Sequence, residues 1–315
     1  MSAILNSVVP LFAVIFLGYF AGRARFLEVQ GIRGLTGFIF NFGLPALLFR
    51  LMARTDVGEI AEWSFLLAYF STEVLMFLFG ALIGGLIFEL RFAERVIHGF
   101  GCAFSNGVLL GLPMLLWLYG EEGGVPALLL ITLNVITFSA VTMLLELAER
   151  RGGGHGRARI VGDTLRSVAR NPIIMATVGG FLYGLTGLGL PEVVDKTLGF
   201  LGQAGAPVAL FALGATLSLR RIAGSLTPAG FMVAAKLFVH PLLAFVLLFG
   251  VFEISPLWAN AGVLFAACPV GLNVFIFAQH YEAAVEAASS AILISTALAM
   301  ITIAALLLLL SPIPT

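Results

Sequence analysis

Charge is scarce in this chain. Only 17 basic and 17 acidic side chains occur among 315 residues, 11% of the total, where soluble domains carry about a quarter. So few polar groups cannot clothe a particle of 33.4 kDa against water. A cytosolic enzyme and a disordered protein are both excluded. Formal net charge is zero, so no basic field points to nucleic acid. Cysteine is nearly absent: Cys102 and Cys268 lie deep in apolar stretches, too few for a disulfide framework and without metal-ligand spacing. No basic segment precedes the first apolar run and no small-residue cleavage site follows Met1–Pro10, so no removable signal peptide is expected. A Ser/His/Asp order, a His-Glu-x-x-His pair and a dinucleotide fingerprint are all missing. Nothing supports an enzyme, and no cofactor or metal is expected.

What is present is hydrocarbon. Apolar types make up 60% of the chain, and mean hydropathy is +1.07. A membrane-spanning helix needs about 20 mostly apolar residues. Ten segments qualify: Ile4–Gly22, Gly31–Leu51, Trp63–Phe88, Arg95–Tyr119, Gly124–Leu147, Asn171–Leu190, Val194–Leu219, Pro228–Phe252, Leu257–Tyr281 and Ala284–Leu310. With that count, the loops after the odd-numbered spans hold thirteen of the basic residues and the opposite loops hold three, Arg50, Arg54 and Lys196. The rich side is cytoplasmic by the positive-inside rule, and both termini then face outward. Glu149–Arg170 reads as a flexible cytoplasmic linker.

The chain repeats itself. Gly37 to Phe49 aligns with Gly199 to Phe211 at a shift of 162 positions, with Gly, Phe, Gly, Pro, Leu and Phe coinciding and amides at Asn41 and Gln203. Gly111-Leu112-Pro113 pairs with Gly271-Leu272-Asn273 at a shift of 160. Five spans per half is an odd number, so the second half enters the membrane from the opposite side. The expected fold is all-α and integral to the membrane, with ten transmembrane helices in two inverted repeats, 1–148 and 171–315, joined by the linker 149–170. Inverted repeats are a mark of secondary transporters.

The fourth and ninth spans each carry a proline, glycines and an asparagine near the middle. Proline removes a helical hydrogen bond and clashes with the carbonyl four residues back. In lipid the freed backbone groups persist only where protein or a cavity receives them. Two ordinary kinks are the alternative, but equivalent breaks in both repeats favour a site of crossed, broken helices. Half-helix N-termini there would attract a carboxylate. The expected substrate contacts are Asn106, Gly107, Pro113, Pro269, Gly271 and Asn273, with Asn41 and Gln203. Ionisable groups inside the membrane are functional by default. Glu73 and Lys236, in equivalent spans, read either as a coupling pair or as a static ion pair. His240 shares a helix face with Lys236 and is the third coupling candidate, or a packing histidine. His98 and His280 read as interfacial.

These residues resemble the auxin efflux carrier family, and among its bacterial members the malonate-transporter type. The resemblance rests on Ser105-Asn106-Gly107 through Gly111-Leu112-Pro113, Arg170-Asn171-Pro172, Gly205-Ala206-Pro207 through Gly214, Lys236 to His240-Pro241 and Cys268-Pro269-Val270-Gly271. It implies a crossover of helices four and nine and a scaffold of helices one, two, six and seven. It implies a transport domain of helices three to five and eight to ten that moves as an elevator. The implied substrate is a small organic anion, such as malonate or an auxin-like acid, carried across a bacterial inner membrane. A sodium- or proton-coupled symporter of the bile-acid type is the alternative, and a channel is a further one. Membrane lipid surrounds such a protein, and the glycine-rich second and seventh helices leave room for a homodimer contact.

Overall fold

Backbone polar groups in hydrocarbon must find partners within the chain, and this protein meets the demand with helices. A computed structural model describes residues 2–54, 62–149, 172–224 and 226–310. Its helices are α1 (Ser2–Arg23), α2 (Val29–Arg54), α3 (Trp63–Leu86), α4 (Phe92–Ala103), α5 (Leu112–Glu149), α6 (Pro172–Gly184), α7 (Glu192–Ser218), α8 (Leu226–Val251), α9 (Pro256–Ala266), α10 (Leu272–His280) and α11 (Val285–Leu309). Among the described residues there is no strand. The one extended pairing is an isolated bridge between Ser105 and Val270. The expected linker 149–170 falls almost wholly outside the described residues.

Among the described residues, six helical segments are long and apolar enough to cross a membrane: α2, α3, Gly107–Ala148, α7, α8 and α11. Of the other expected spans, the first and sixth are described as shorter apolar helices, Val8–Arg23 and Pro172–Gly184, and the fourth and ninth contain breaks. The fourth span is split between α4 and the start of α5, and the ninth between α9 and α10. Conversely, α5 is 38 residues long, about 57 Å at the usual helical rise, against about 30 Å of hydrocarbon. Gly120 breaks it, with φ 64 and ψ −150, a conformation open to glycine. A methyl group on Gly123 would lie 2.5 Å from the Leu115 carbonyl oxygen. Residues eight apart in a straight helix are never so close, so the chain doubles back and α5 is a hairpin of two legs.

Four wide π-turns interrupt the helices among the described residues, and three of them end two residues before a proline; the fourth, Val246–Val251, does not. Ile39–Gly43 precedes Pro45, Gly107–Gly111 precedes Pro113, and Ala235–Val239 precedes Pro241. The proline ring pushes on the carbonyl four residues back. Widening that turn by one residue relieves the clash.

Glycines set the helix crossings. A methyl on Gly18 of α1 would sit 2.0 Å from the Phe211 carbonyl oxygen of α7, and one on Gly180 of α6 would sit 2.4 Å from that of Phe49 in α2. Gly180 lies 162 positions after Gly18, and Phe211 lies 162 after Phe49. The next turn repeats the relation: Gly22 faces the Ala215 carbonyl at 3.2 Å and Gly184 faces that of Ala53 at 3.4 Å. Gly43 and Gly205, again 162 apart, meet each other, with 3.0 Å from the added methyl to the Gly205 Cα. Helices in lipid associate through close backbone packing of this kind.

Candidate functional site

The two breaks meet. After α4 the chain runs extended through Phe104, with φ −82 and ψ 121. After α9 it reaches Gly271, with φ −71 and ψ 143. The Asn106 N–H donates to the Pro269 carbonyl at 2.9 Å, and the Gly271 N–H donates to the Phe104 carbonyl at 3.1 Å. The Val270 N–H donates to Ser295 Oγ at 3.1 Å. Each broken stretch thus satisfies the other, which is how irregular backbone survives away from water. Glycine is needed for the approach. A methyl on Gly107 would lie 2.0 Å from Phe265 Cζ, and one on Gly271 would lie 2.4 Å from Phe104 Cδ1.

The positions differ from the sequence expectation in one respect. The first break, Phe104–Asn106, contains no proline. Pro113 stands in the first turn of α5, and its effect on the break is indirect, through the π-turn Gly107–Gly111. The bridge pairs Ser105 with Val270, whereas the sequence alignment sets Gly111 against Gly271.

A cavity of about 520 Å³ opens beside the crossover. Both helix beginnings line it, Gly107–Leu109 from one side and Leu272–Asn273 from the other. First-turn N–H groups have no partner within their own helix and carry partial positive charge. Asn106 lines the same space and is 5% exposed. Its Nδ2 has no hydrogen-bond partner among the described residues. Asn273, Gln279 and Arg33 also face the cavity.

Arg220 completes the wall, and sequence reasoning missed it. It follows α7, and its guanidinium carbon lies 3.6 Å over the Phe275 ring. Its Nε is buried without a partner. Burial disfavours its charge and lowers its pKa from the ordinary arginine value. In the sequence it counts only as one more orientation charge, and no local signal places it over Phe275.

Other expected contacts lie elsewhere. Pro113 and Gln203 line a second cavity of about 580 Å³, together with Arg50, Glu121 and Trp117. Asn41 lines neither cavity. It is exposed, and its Nδ2 donates to the Gly37 carbonyl at 2.8 Å. Pro269 and Gly271 form the pairing itself and do not line the cavities.

The buried charges also depart from expectation. Lys236 and Glu73 are both buried, but no ion pair within 4.0 Å joins them. Glu73 Oε2 accepts from Thr137 Oγ1 at 3.0 Å. Lys236 Nζ donates to Ser105 Oγ at 2.8 Å, to His240 Nδ1 at 2.9 Å and to the Ala266 carbonyl at the end of α9. A cation beside a helix C-terminus is favourably placed. His98 is not interfacial. It is 1% exposed, with Nδ1 2.8 Å from the Gly80 carbonyl.

The chain is 33% identical to a Rhizobium meliloti (strain 1021) protein named "Putative malonate transporter", over 98% of this chain and 96% of the relative. It is 26% identical to the "Uncharacterized transporter YfdV" of Escherichia coli (strain K12), over 92% of each chain. It is 23% identical to the "Auxin efflux carrier component 8" of Arabidopsis thaliana, over 95% of each. Residues 3–307 match the family described as "Membrane transport protein". The chain belongs to that family, which includes the auxin efflux carriers: it is an integral membrane transport protein and not an enzyme.

Proposed function

We propose that the protein is a secondary carrier of small organic anions, with carboxylates such as malonate as its substrate class. The observation that carries this reading is the orphaned Asn106 Nδ2, buried at the meeting of two helix beginnings and facing a cavity. Donors without acceptors, in a wall with partial positive charge, suit an anion. Arg220 and Arg33 add full positive charge to the same cavity. The name of the Rhizobium relative makes malonate the first compound to test.

The reading extends to architecture. Two five-helix inverted repeats, 1–148 and 171–315, are supported by the contacts that recur at a shift of 162, with Gly43 and Gly205 at the twofold. On this reading α1, α2, α6 and α7 form the scaffold. The remaining helices, α3 to α5 and α8 to α11, form a transport domain that rises and falls against it as an elevator. On this reading, whose orientation the Arg-rich loops support, the 520 Å³ cavity faces the cytoplasm, both ends of this chain lie outside, and the protein sits in a bacterial inner membrane.

The test is Asn106→Ala in reconstituted vesicles. Loss of a buried donor to an anion costs about 1.5–3 kcal/mol, so malonate binding should fall roughly tenfold to a hundredfold. The variant should still elute as folded protein in detergent. Unchanged malonate uptake by folded Asn106→Ala would remove the crossover site from the account.

A further inference from the structure

The crossover has a second neighbour. Besides the cavity, the fully buried ammonium of Lys236 meets the crossover at Ser105, and it does not line the cavity. The three Nζ hydrogens meet three acceptors: Ser105 Oγ, the Ala266 carbonyl and His240 Nδ1. None is a carboxylate. A histidine that accepts through Nδ1 is neutral and keeps its hydrogen on Nε2, and that atom is buried without a partner. The titratable groups that face Lys236 are Glu73 from α3, Cys102 from α4, Cys268 beyond the end of α9 and His240 from its own helix, with Tyr69 of α3 beside His240 and Ser105. The one acid among them, Glu73, is engaged by Thr137. Among the described residues the ammonium therefore has no counter-ion in contact.

Ser105 touches both the ammonium and the cavity. It is hydrogen-bonded to Lys236 and also lines the cavity, next to Asn106. While Lys236 is protonated, the serine oxygen accepts from it, and the hydroxyl hydrogen is free to turn toward the cavity. A neutral amine instead offers a lone pair. The Ser105 hydroxyl then donates to Nζ, and its hydrogen is withdrawn from the cavity. An anion at the crossover thus gains a donor, and a favourable charge, only when Lys236 holds its proton. Two ligands that each favour the same state of the protein bind cooperatively, and the coupling is reciprocal. Lysine suits this task because it can shed a proton, which arginine cannot.

We propose that Lys236 is a proton-binding site wired through Ser105 to the anion site, so that each carried anion travels with one proton. The Nζ lone pair takes a proton from water on the loading side, and the ammonium returns it to water on the other side as the anion leaves. The proposal rests on the carrier reading.

Vesicles loaded with a pH-sensitive dye, given radiolabelled malonate outside, test it. Malonate entry through the wild-type protein should acidify the interior. An imposed inward proton gradient should drive malonate accumulation several-fold over the no-gradient level. Lys236→Arg keeps the charge but fixes the proton. It should still exchange internal for external malonate, yet lose both acidification and gradient-driven accumulation. Lys236→Met should lose them too and bind malonate roughly tenfold more weakly. Ser105→Ala, with the lysine intact, should flatten the dependence of malonate affinity on pH between 6 and 8. If the lysine variants do not fold, the wild-type dye signal and the Ser105→Ala pH profile decide the matter alone. Malonate exchange by the wild type without proton movement overturns this proposal and leaves the carrier reading standing. Acidification by Lys236→Arg at the wild-type rate also overturns it. Absence of any carboxylate exchange overturns both.

Discussion

Asn106 and Arg220 are the cavity-lining side chains with buried donor nitrogens left over, and they differ in how they could be read. Asn106 is legible in the sequence, because an amide beside glycines in a long apolar run has no reason to be there unless something uses it. Arg220 is not. Near the end of a span, an arginine is indistinguishable from those that merely orient the chain, and only the return of α10 brings Phe275 under its guanidinium. Lys236 shows the same limit from the other side. Its burial follows from its position in an apolar segment, but its partners come from the break after α4, the end of α9 and one turn along its own helix, not from Glu73. Arg220 carries a prediction of its own. Arg220→Gln keeps a planar donor and removes the charge, so carboxylate affinity should fall about tenfold, the scale of a charged hydrogen bond. Affinity for an uncharged amide analogue such as malonamide should change little. Isothermal titration with both compounds checks it, and equal losses for the two would mean that Arg220 acts on the cavity's shape and not on charge.

At the scale of elements, the prolines were informative but not as simple breakers. Pro45, Pro113 and Pro241 each widen the turn before them into a π-turn and leave the helix running. The true break at Phe104–Asn106 is proline-free. It is held open by its partner, through the Pro269 carbonyl and the Gly271 N–H, so no local pattern in the fourth span could have located it. Two short helices across a break look in sequence like one long one, so the sequence shows the fourth and ninth spans whole where the fold divides them. The repeat at 162 positions, by contrast, was visible, and the glycine crossings give it a consequence. Gly18 and Gly180 each press on a carbonyl from the other half of the chain. Gly18→Ala and Gly180→Ala should therefore both destabilise, by about 1–3 kcal/mol as overpacking does, and by similar amounts. Gly34 in α2 has nothing within 4 Å of an added methyl, so Gly34→Ala should be neutral or should stabilise by up to about 1 kcal/mol. Thermal denaturation of the three variants in detergent measures this. A large drop for one of the pair and none for the other would argue against equivalent crossings.

For the whole molecule, the two cavities matter together. One is lined by Asn106 and Arg220, the other by Pro113, Gln203 and Trp117, and the helical stretch from Gly107 to Pro113 passes from one to the other. An ion cluster stands at the second. Arg50 of α2 pairs with Asp195 of α7 through Nε at 2.8 Å and also with Glu121, in the turn between the legs of α5, while Arg54 reaches Glu121 at 3.5 Å. Arg50 and Asp195 both belong to the proposed scaffold, and Glu121 to the proposed moving part. The Glu121 contacts must therefore break each time the transport domain shifts, whereas the Arg50–Asp195 pair can persist. Glu121 is 54% exposed, so its pair is weak, as partly solvated pairs are. That weakness is what a carrier needs, since a strong lock would slow every cycle. Glu121→Gln should consequently shift the balance toward the state open on that side by roughly twofold to fivefold, without altering malonate affinity at the crossover. A Gln203→Cys reporter read with a membrane-impermeant maleimide measures the shift, since Cys102 and Cys268 are buried and silent. Asp195→Asn, which loosens a contact within one body, should leave labelling unchanged. If Asp195→Asn raised labelling as much as Glu121→Gln, the line between the two moving parts would have to be drawn elsewhere, through α7 rather than along it.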